Sequence, residues 1–338
     1  MVLRKWMVGG IAGLVAVASL TVVSIGSAGS AGNQAPAGIK VAVVTDVGGL
    51  NDKGFNALAA VGAKQAQSEL GVKSRVYISK TAADYIPNLT SAVRAGHTLV
   101  IANGFLMGDS IAAVAKRFPN TNFAIIDFPW VALKGKPSNV RGLVFREAEA
   151  GYLAGVAAAT VAKGAAVSFV GGQAVPAVVA FRAGFIAGAK KTNGKTKVLS
   201  GYSEDFVDTA KCKELALNQI SQGSKVVFAA AGGCGIGALD AAKERNVWGI
   251  GVDKDQSFLG SHILTSATKK VDLAVFTTAS QVVEDTFKGG TDGVFTVKNS
   301  GVGYGKVSSR APNRKALIAK LDAVSKQLAA GKIKPPTK

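Results

Sequence analysis

The chain has 338 residues, a length that suits about two domains, and it is 48% hydrophobic and 18% charged. That apolar content excludes a disordered chain, and two cysteines exclude both a disulfide-dense scaffold and a cysteine-rich zinc module. The net charge of +19 is partly a tail effect, because nine basic residues and one acid (Asp322) follow from Lys306; no aromatic–basic interleaving accompanies it, so no nucleic-acid partner is expected.

Arg4 and Lys5 precede an apolar run from Trp6 to about Ile25, and small residues follow from Gly26 to Gly32. Basic, apolar, small is the order of an export signal, assigned here to residues 1–31. The run Met7–Gly26 also reaches the roughly 20 residues that span a bilayer, which leaves an uncleaved anchor open. No cysteine near the cleavage region could accept a lipid, so the sequence does not read as a lipoprotein. The expected location is periplasmic or extracellular, where disulfides persist.

From Ile39 onward, apolar runs alternate with helical patterns. Strands are expected at Lys40–Thr45, Thr98–Ala102, Asn122–Ile126, Val140–Phe145, Ala166–Val170, Lys197–Tyr202, Val226–Ala230, Trp248–Val252 and Ile263–Ser266. They are apolar without alternation, as strands covered on both faces are. Helices are expected at Phe55–Leu70, Asp109–Arg117, Arg146–Ala162, Val179–Lys191, Thr209–Gln222 and Gly237–Arg245, with an amphipathic one at Asn313–Ala330. Such alternation makes an α/β protein with parallel sheets, and nine strands fit two sheets better than one.

Ligands of open α/β sheets sit outside the carboxyl ends of the strands. The residues that close four of these runs are Asp46, Asn103, Asp127 and Asp253. Each alone is an ordinary turn former or helix cap; together they form a polar rim. Phe55 and Phe181 stand at or near helix starts, and Phe105, Phe128, Trp130 and Phe206 fall nearby. Carboxylates accept from hydroxyls and aromatic faces stack, which suits a nucleoside or a sugar.

Gly233-Cys234-Gly235-Ile236-Gly237-Ala238 matches a dinucleotide fingerprint, with Asp253 20 residues after Gly233. Against an NAD-dependent oxidoreductase stand its late place in the chain, the export signal, and the simpler use of a glycine turn as a source of free N–H groups. No nucleophile elbow, zinc helix motif or phosphate loop occurs, and His97 and His262 read as loop residues, so no catalytic residue, metal or cofactor is expected. The residues leave open a nucleoside receptor, a receptor for a sugar or signalling molecule, and the oxidoreductase.

Asp46-Val-Gly-Gly-Leu-Asn-Asp-Lys-Gly-Phe-Asn56 resembles the opening of the basic membrane protein family, the purine nucleoside receptor type of ABC-transporter substrate-binding proteins. Further blocks agree in order: Asn103-Gly-Phe to Asp127, Val170-Gly-Gly with Phe181-Arg-Ala-Gly-Phe-Ile-Ala-Gly188, Gly232 to Gly237, Gly251-Val-Asp-Lys-Asp-Gln256, and Thr265-Ser266 with Lys269. The resemblance implies a type I periplasmic-binding-protein fold, two doubly wound parallel-sheet lobes with a hinge. The lobes would be 38–145 plus about 270–289, and 146–269 plus about 290–310, with a helix and basic tail at 311–338.

It further implies a binding set of Asp46, Phe55, Asn56, Asn103, Asp127, Phe181, Gly232, Asp253 and Lys269, in which Phe55 and Phe181 sandwich the base and the acids and lysine hold the base edge and ribose. The implied partners are a nucleoside and membrane permease subunits, with the chain acting as a monomer. Independently, Cys212 and Cys234 are the only cysteines of an exported chain and stand in consecutive strand–helix units; a disulfide is expected, provided that the strands before them are neighbours.

Overall fold

Strands that are apolar on both faces need helices above and below them, and the computed structural model, which describes residues 38–338, supplies both layers. The expected export segment lies outside the described residues. The first sheet is built from β1 (Lys40–Thr45), β2 (Lys73–Tyr77), β3 (Leu99–Asn103), β4 (Asn122–Ile126) and β5 (Val140–Phe145), with α1 (Phe55–Leu70), α2 (Tyr85–Arg94) and α3 (Gly108–Arg117) between them. The chain then crosses into α4 (Glu147–Ala162), β6 (Ala166–Gly171), α5 (Pro176–Thr192), β7 (Val198–Tyr202), α6 (Thr209–Ser221), β8 (Ser224–Ala230), α7 (Cys234–Glu244), β9 (Trp248–Asp253) and β10 (Ile263–Lys269). It returns through α8 (Val271–Val283) and β11 (Thr291–Phe295), and crosses a third time to β12 (Val302–Tyr304) and α9 (Arg314–Ala329).

Two six-stranded sheets result, ordered β11-β5-β4-β3-β1-β2 and β12-β10-β9-β8-β6-β7. All pairs are parallel except β10 with β12. All nine expected strands are present. One boundary differs from the sequence expectation: residues 291–295 pair in parallel with Arg141–Phe145 of β5 and so belong to the first sheet, whereas the chain from about 290 was assigned to the second lobe. The crossings are tied together by backbone bonds, Arg146 N–H to the Phe295 carbonyl and Lys270 N–H to that of Gly301, each 2.8 Å. Three crossings between two sheets make a hinge.

Cys212 and Cys234 are disulfide-bonded, with Cα atoms 5.5 Å apart. The premise that β7 and β8 are neighbours does not hold, since β6 lies between them. The helices do the work instead. At Gly237 of α7, a Cβ would lie 1.9 Å from the Thr209 carbonyl oxygen of α6, so only glycine lets the two helices approach this closely. Both cysteines sit in first turns of these packed helices, and both are buried. The bond closes a 22-residue separation. In the chain-entropy picture that stabilises the fold by about 3 kcal/mol. Denatured, unreduced protein should therefore show no free thiol, and Cys212→Ser with Cys234→Ser should lower the unfolding free energy by about that amount in denaturant titrations.

Candidate functional site

Where the carboxyl ends of the two sheets face one another, a cleft encloses about 650 Å³ of empty space, part of it open to solvent. Eight of the nine expected binding residues line it: Asp46, Phe55, Asn56, Asp127, Phe181, Gly232, Asp253 and Lys269. Asn103 does not. It stands behind the wall, where its Nδ2 donates to Asn56 Oδ1 at 2.8 Å, and Asn56 Nδ2 donates in turn to Asp46 Oδ1 at 2.7 Å. The end of β3 thus fixes the first helical residues of α1, which fix the acid at the end of β1. Gly104, at φ +133°, leaves room for Asp46, since a Cβ there would come within 3.0 Å of Asp46 Oδ2.

The sequence reading missed Asp52 and Glu147 and noted Phe105 and Phe206 only as nearby aromatics outside the binding set; Asp52, Phe105 and Phe206 also line the cleft. Asp52 organises the start of α1. Its Oδ1 accepts from the N–H groups of Gly54 (3.0 Å) and Ala57 (3.1 Å), and its Oδ2 from that of Asn56 (2.5 Å). An acid beside a helix start satisfies donors the helix cannot and complements its dipole. The result is that Phe55 and Asn56 are presented at the cleft by the first turn of the helix. The acid in Asn51-Asp52-Lys53-Gly54 was the signal available in the sequence.

From the second lobe, α5 supplies Phe181, which is buried and packs edge-on against Phe228 at a centroid distance of 6.0 Å. The turn before α7 supplies Gly232, at φ +55°, and Gly233. This use of the glycine pattern, one part lining the cleft and one part packing α7 on α6, replaces the dinucleotide fingerprint. Asp127 and Asp253 both have left-handed backbones, φ +69° and +61°. Aspartate tolerates that region better than most side chains, and the strain is of order 1–3 kcal/mol per residue. The lobes also touch through Gln256, whose Nε2 donates to the Lys53 carbonyl at 3.3 Å.

Lys269, at the end of β10, is 2% exposed. Its Nζ donates to Asp127 Oδ2 at 2.6 Å and pairs with Glu147 Oε1 at 3.1 Å. The same nitrogen lies 5.1 Å from the Phe55 ring centroid, 4.9 Å from that of Phe145 and 6.0 Å from that of Phe181. Burial works against its charge, but Asp127, Glu147 and Asp253 outweigh burial and hold the ammonium above its ordinary value. Among the acids, burial pushes Asp46 up to about 6. It pushes Asp253 up to about 7 although Lys269 pulls the other way. Burial raises Asp52 and Glu147 as well. Four buried or half-buried acids and one lysine line the cleft. That surplus of acceptors suits a ligand rich in hydroxyl or N–H donors and repels an anionic one.

The family described as ABC transporter substrate-binding protein PnrA-like matches residues 39–336. An ABC transporter nucleoside-binding protein, BmpA, of Lactococcus lactis subsp. cremoris is 33% identical over 96% of this chain and 97% of its own. An uncharacterized lipoprotein of Pyrococcus horikoshii is 35% identical over 79% of this chain and 68% of its own. The crystal structure of an ABC transporter solute-binding protein from Aeropyrum pernix superposes with a TM-score of 0.78 at 26% identity, covering 89% of this chain and 94% of that one. The chain belongs to the PnrA-like family of ABC transporter substrate-binding proteins. These are solute-binding proteins and not enzymes, so the oxidoreductase reading falls. Family members are extracytoplasmic, and some are named lipoproteins. Among the described residues, no helix is long and apolar enough to cross a membrane.

Proposed function

We propose that this family member works outside the cytoplasm as the receptor of an ABC importer, and that it captures a purine nucleoside between its lobes for delivery to the membrane permease. The observation that carries the reading is the pair of phenylalanine rings from opposite lobes, Phe55 and Phe181, both within 6.0 Å of one buried ammonium in an acid-rimmed cleft. A flat base stacks on both of its faces and a ribose asks for acceptors, and the cleft offers both. In this reading Asp46, Asp127 and Asp253 accept from the nucleoside, Lys269 donates to it, and Asn56 holds Asp46 in place. The name of the Lactococcus relative agrees with it.

Thermal shift and calorimetry on the whole chain, with purine and pyrimidine nucleosides, free bases, pentoses and NAD, test the proposal. A purine nucleoside should raise the unfolding free energy by about 2.7 kcal/mol at a hundredfold excess over Kd. Free bases and pentoses should give smaller shifts, because each fills only half of the site. A pentose that binds as tightly as any nucleoside would replace this reading with a sugar receptor.

A further inference from the structure

Glu147 is the one buried acid around Lys269 that does not line the cleft. It is the first residue of α4, just past the first crossing of the hinge, and is 6% exposed. It borders a second groove, together with Asp127, Phe145, Ala177 and Arg182. Lys269 is likewise a hinge residue, opposite Val302 of β12 and followed at once by the second crossing. Asp127, by contrast, comes from the first lobe, at the end of β4. The ammonium is therefore gripped by one acid from the hinge, at 3.1 Å, and one from the facing lobe, at 2.6 Å.

A lysine ammonium has three N–H donors and rotates freely about its last bond. Asp127 takes one of them in a hydrogen bond and has both carboxylate oxygens within 2.6 Å, Glu147 holds the ammonium as an ion pair at 3.1 Å, and no other side chain accepts from it among the described residues. We infer that Glu147 is a positioning residue for ligand capture: by holding Lys269 from the hinge side, it aims the remaining N–H of the ammonium into the cleft. This rests on the cleft being the nucleoside site. Without Glu147, the ammonium could turn more than one donor to Asp127 and present none to the ligand. Loss of a partner that orients a binding group commonly costs about 10- to 100-fold in affinity where this has been measured at metal sites. The hinge location adds a consequence. Glu147 and Lys269 both stand at crossings, so their pairing survives when the first lobe and Asp127 swing away, and the lysine stays aimed before the ligand arrives.

The test is a double-mutant cycle on nucleoside binding, read by calorimetry. Glu147→Gln keeps the shape and removes the charge. It should weaken the Kd of the wild-type chain by about tenfold and leave the Kd of a Lys269→Met chain unchanged, because its effect passes through the lysine. Equal weakening in both backgrounds, or none in the wild type, would overturn the inference. A second measurement needs neither ligand nor a folded Lys269→Met chain. In the unliganded protein, the Lys269 ammonium should give a slowly exchanging ¹⁵N–¹H signal that broadens or vanishes in Glu147→Gln. An unchanged signal would also overturn the inference. If no nucleoside binds the wild-type chain while the ammonium signal responds, the proposed ligand fails and the positioning of Lys269 by Glu147 stands.

Discussion

Phe55→Ala and Phe181→Ala should each weaken purine nucleoside binding by about 1–3 kcal/mol, the scale of stacking one base on one aromatic ring. The two substitutions differ in what else they remove, and that difference makes them a test of the sandwich. Phe55 is only half-buried, on the first turn of a helix already capped by Asp52, so its loss should affect binding far more than stability. Phe181 is 3% exposed and packs on Phe228, so its truncation also opens a core cavity. Phenylalanine-to-alanine changes in cores cost about 3–5 kcal/mol of stability. Phe181→Leu separates the two effects, since it keeps most of the volume and loses the flat face. Calorimetry should show weakened binding for Phe55→Ala and Phe181→Leu with folding near that of the parent. Wild-type affinity in both would remove the stacking role of the rings and with it the main ground for preferring a nucleoside to a sugar.

Much of this architecture is legible because parallel strands covered on both faces read as unbroken apolar runs. The strands that escape are those the rule does not describe. β2, Lys-Ser-Arg-Val-Tyr, lies at an edge and is exposed at alternate positions. β12 is three residues long. In α2, Pro87 falls in the first turn, where proline is tolerated, and so disguises a helix. The apolar α8 packs among its neighbours and shows little polar face for a periodicity to reveal. At the site, strand ends locate Asp46, Asp127 and Asp253, but they cannot tell an acid that faces the ligand from an amide that stands one layer back, as Asn103 does. The disulfide has the expected partners for a different reason, helix contact through Gly237 and not strand adjacency. Glu147 was invisible for the plainest cause. An acid in the first turn of a helix is ordinary, and its partner Lys269 is brought to it by the topology of the crossings alone.

That partnership sets a second large effect. Lys269→Met removes the one cation that pairs with Asp127 and Glu147 among the described residues while leaving those acids and Asp253 in place. Breaking a buried ion pair from one side typically costs about 3–5 kcal/mol, more than the net worth of the pair, because the remaining charge is stranded. The pH dependence identifies the cause. Burial already raises Asp253 to about 7 and raises Glu147, with Lys269 pulling both down. Without the lysine both must rise further above their unfolded values. Groups raised in this way contribute stability below their unfolded pKa and lose it as pH climbs through the folded one. The penalty of Lys269→Met should therefore be greatest near pH 8 and shrink toward pH 5, where Glu147 and Asp253 take up protons in the folded state. In the parent chain, the Lys269 ammonium is held above its ordinary value, so its own contribution persists across that whole window and fades only at strongly alkaline pH. Urea titrations of both chains at pH 5 and pH 8 decide the matter. A loss of the same size at both values would assign it to lost side-chain packing against Phe55 and Phe145, and the acids would no longer be a repelling cluster that the lysine restrains.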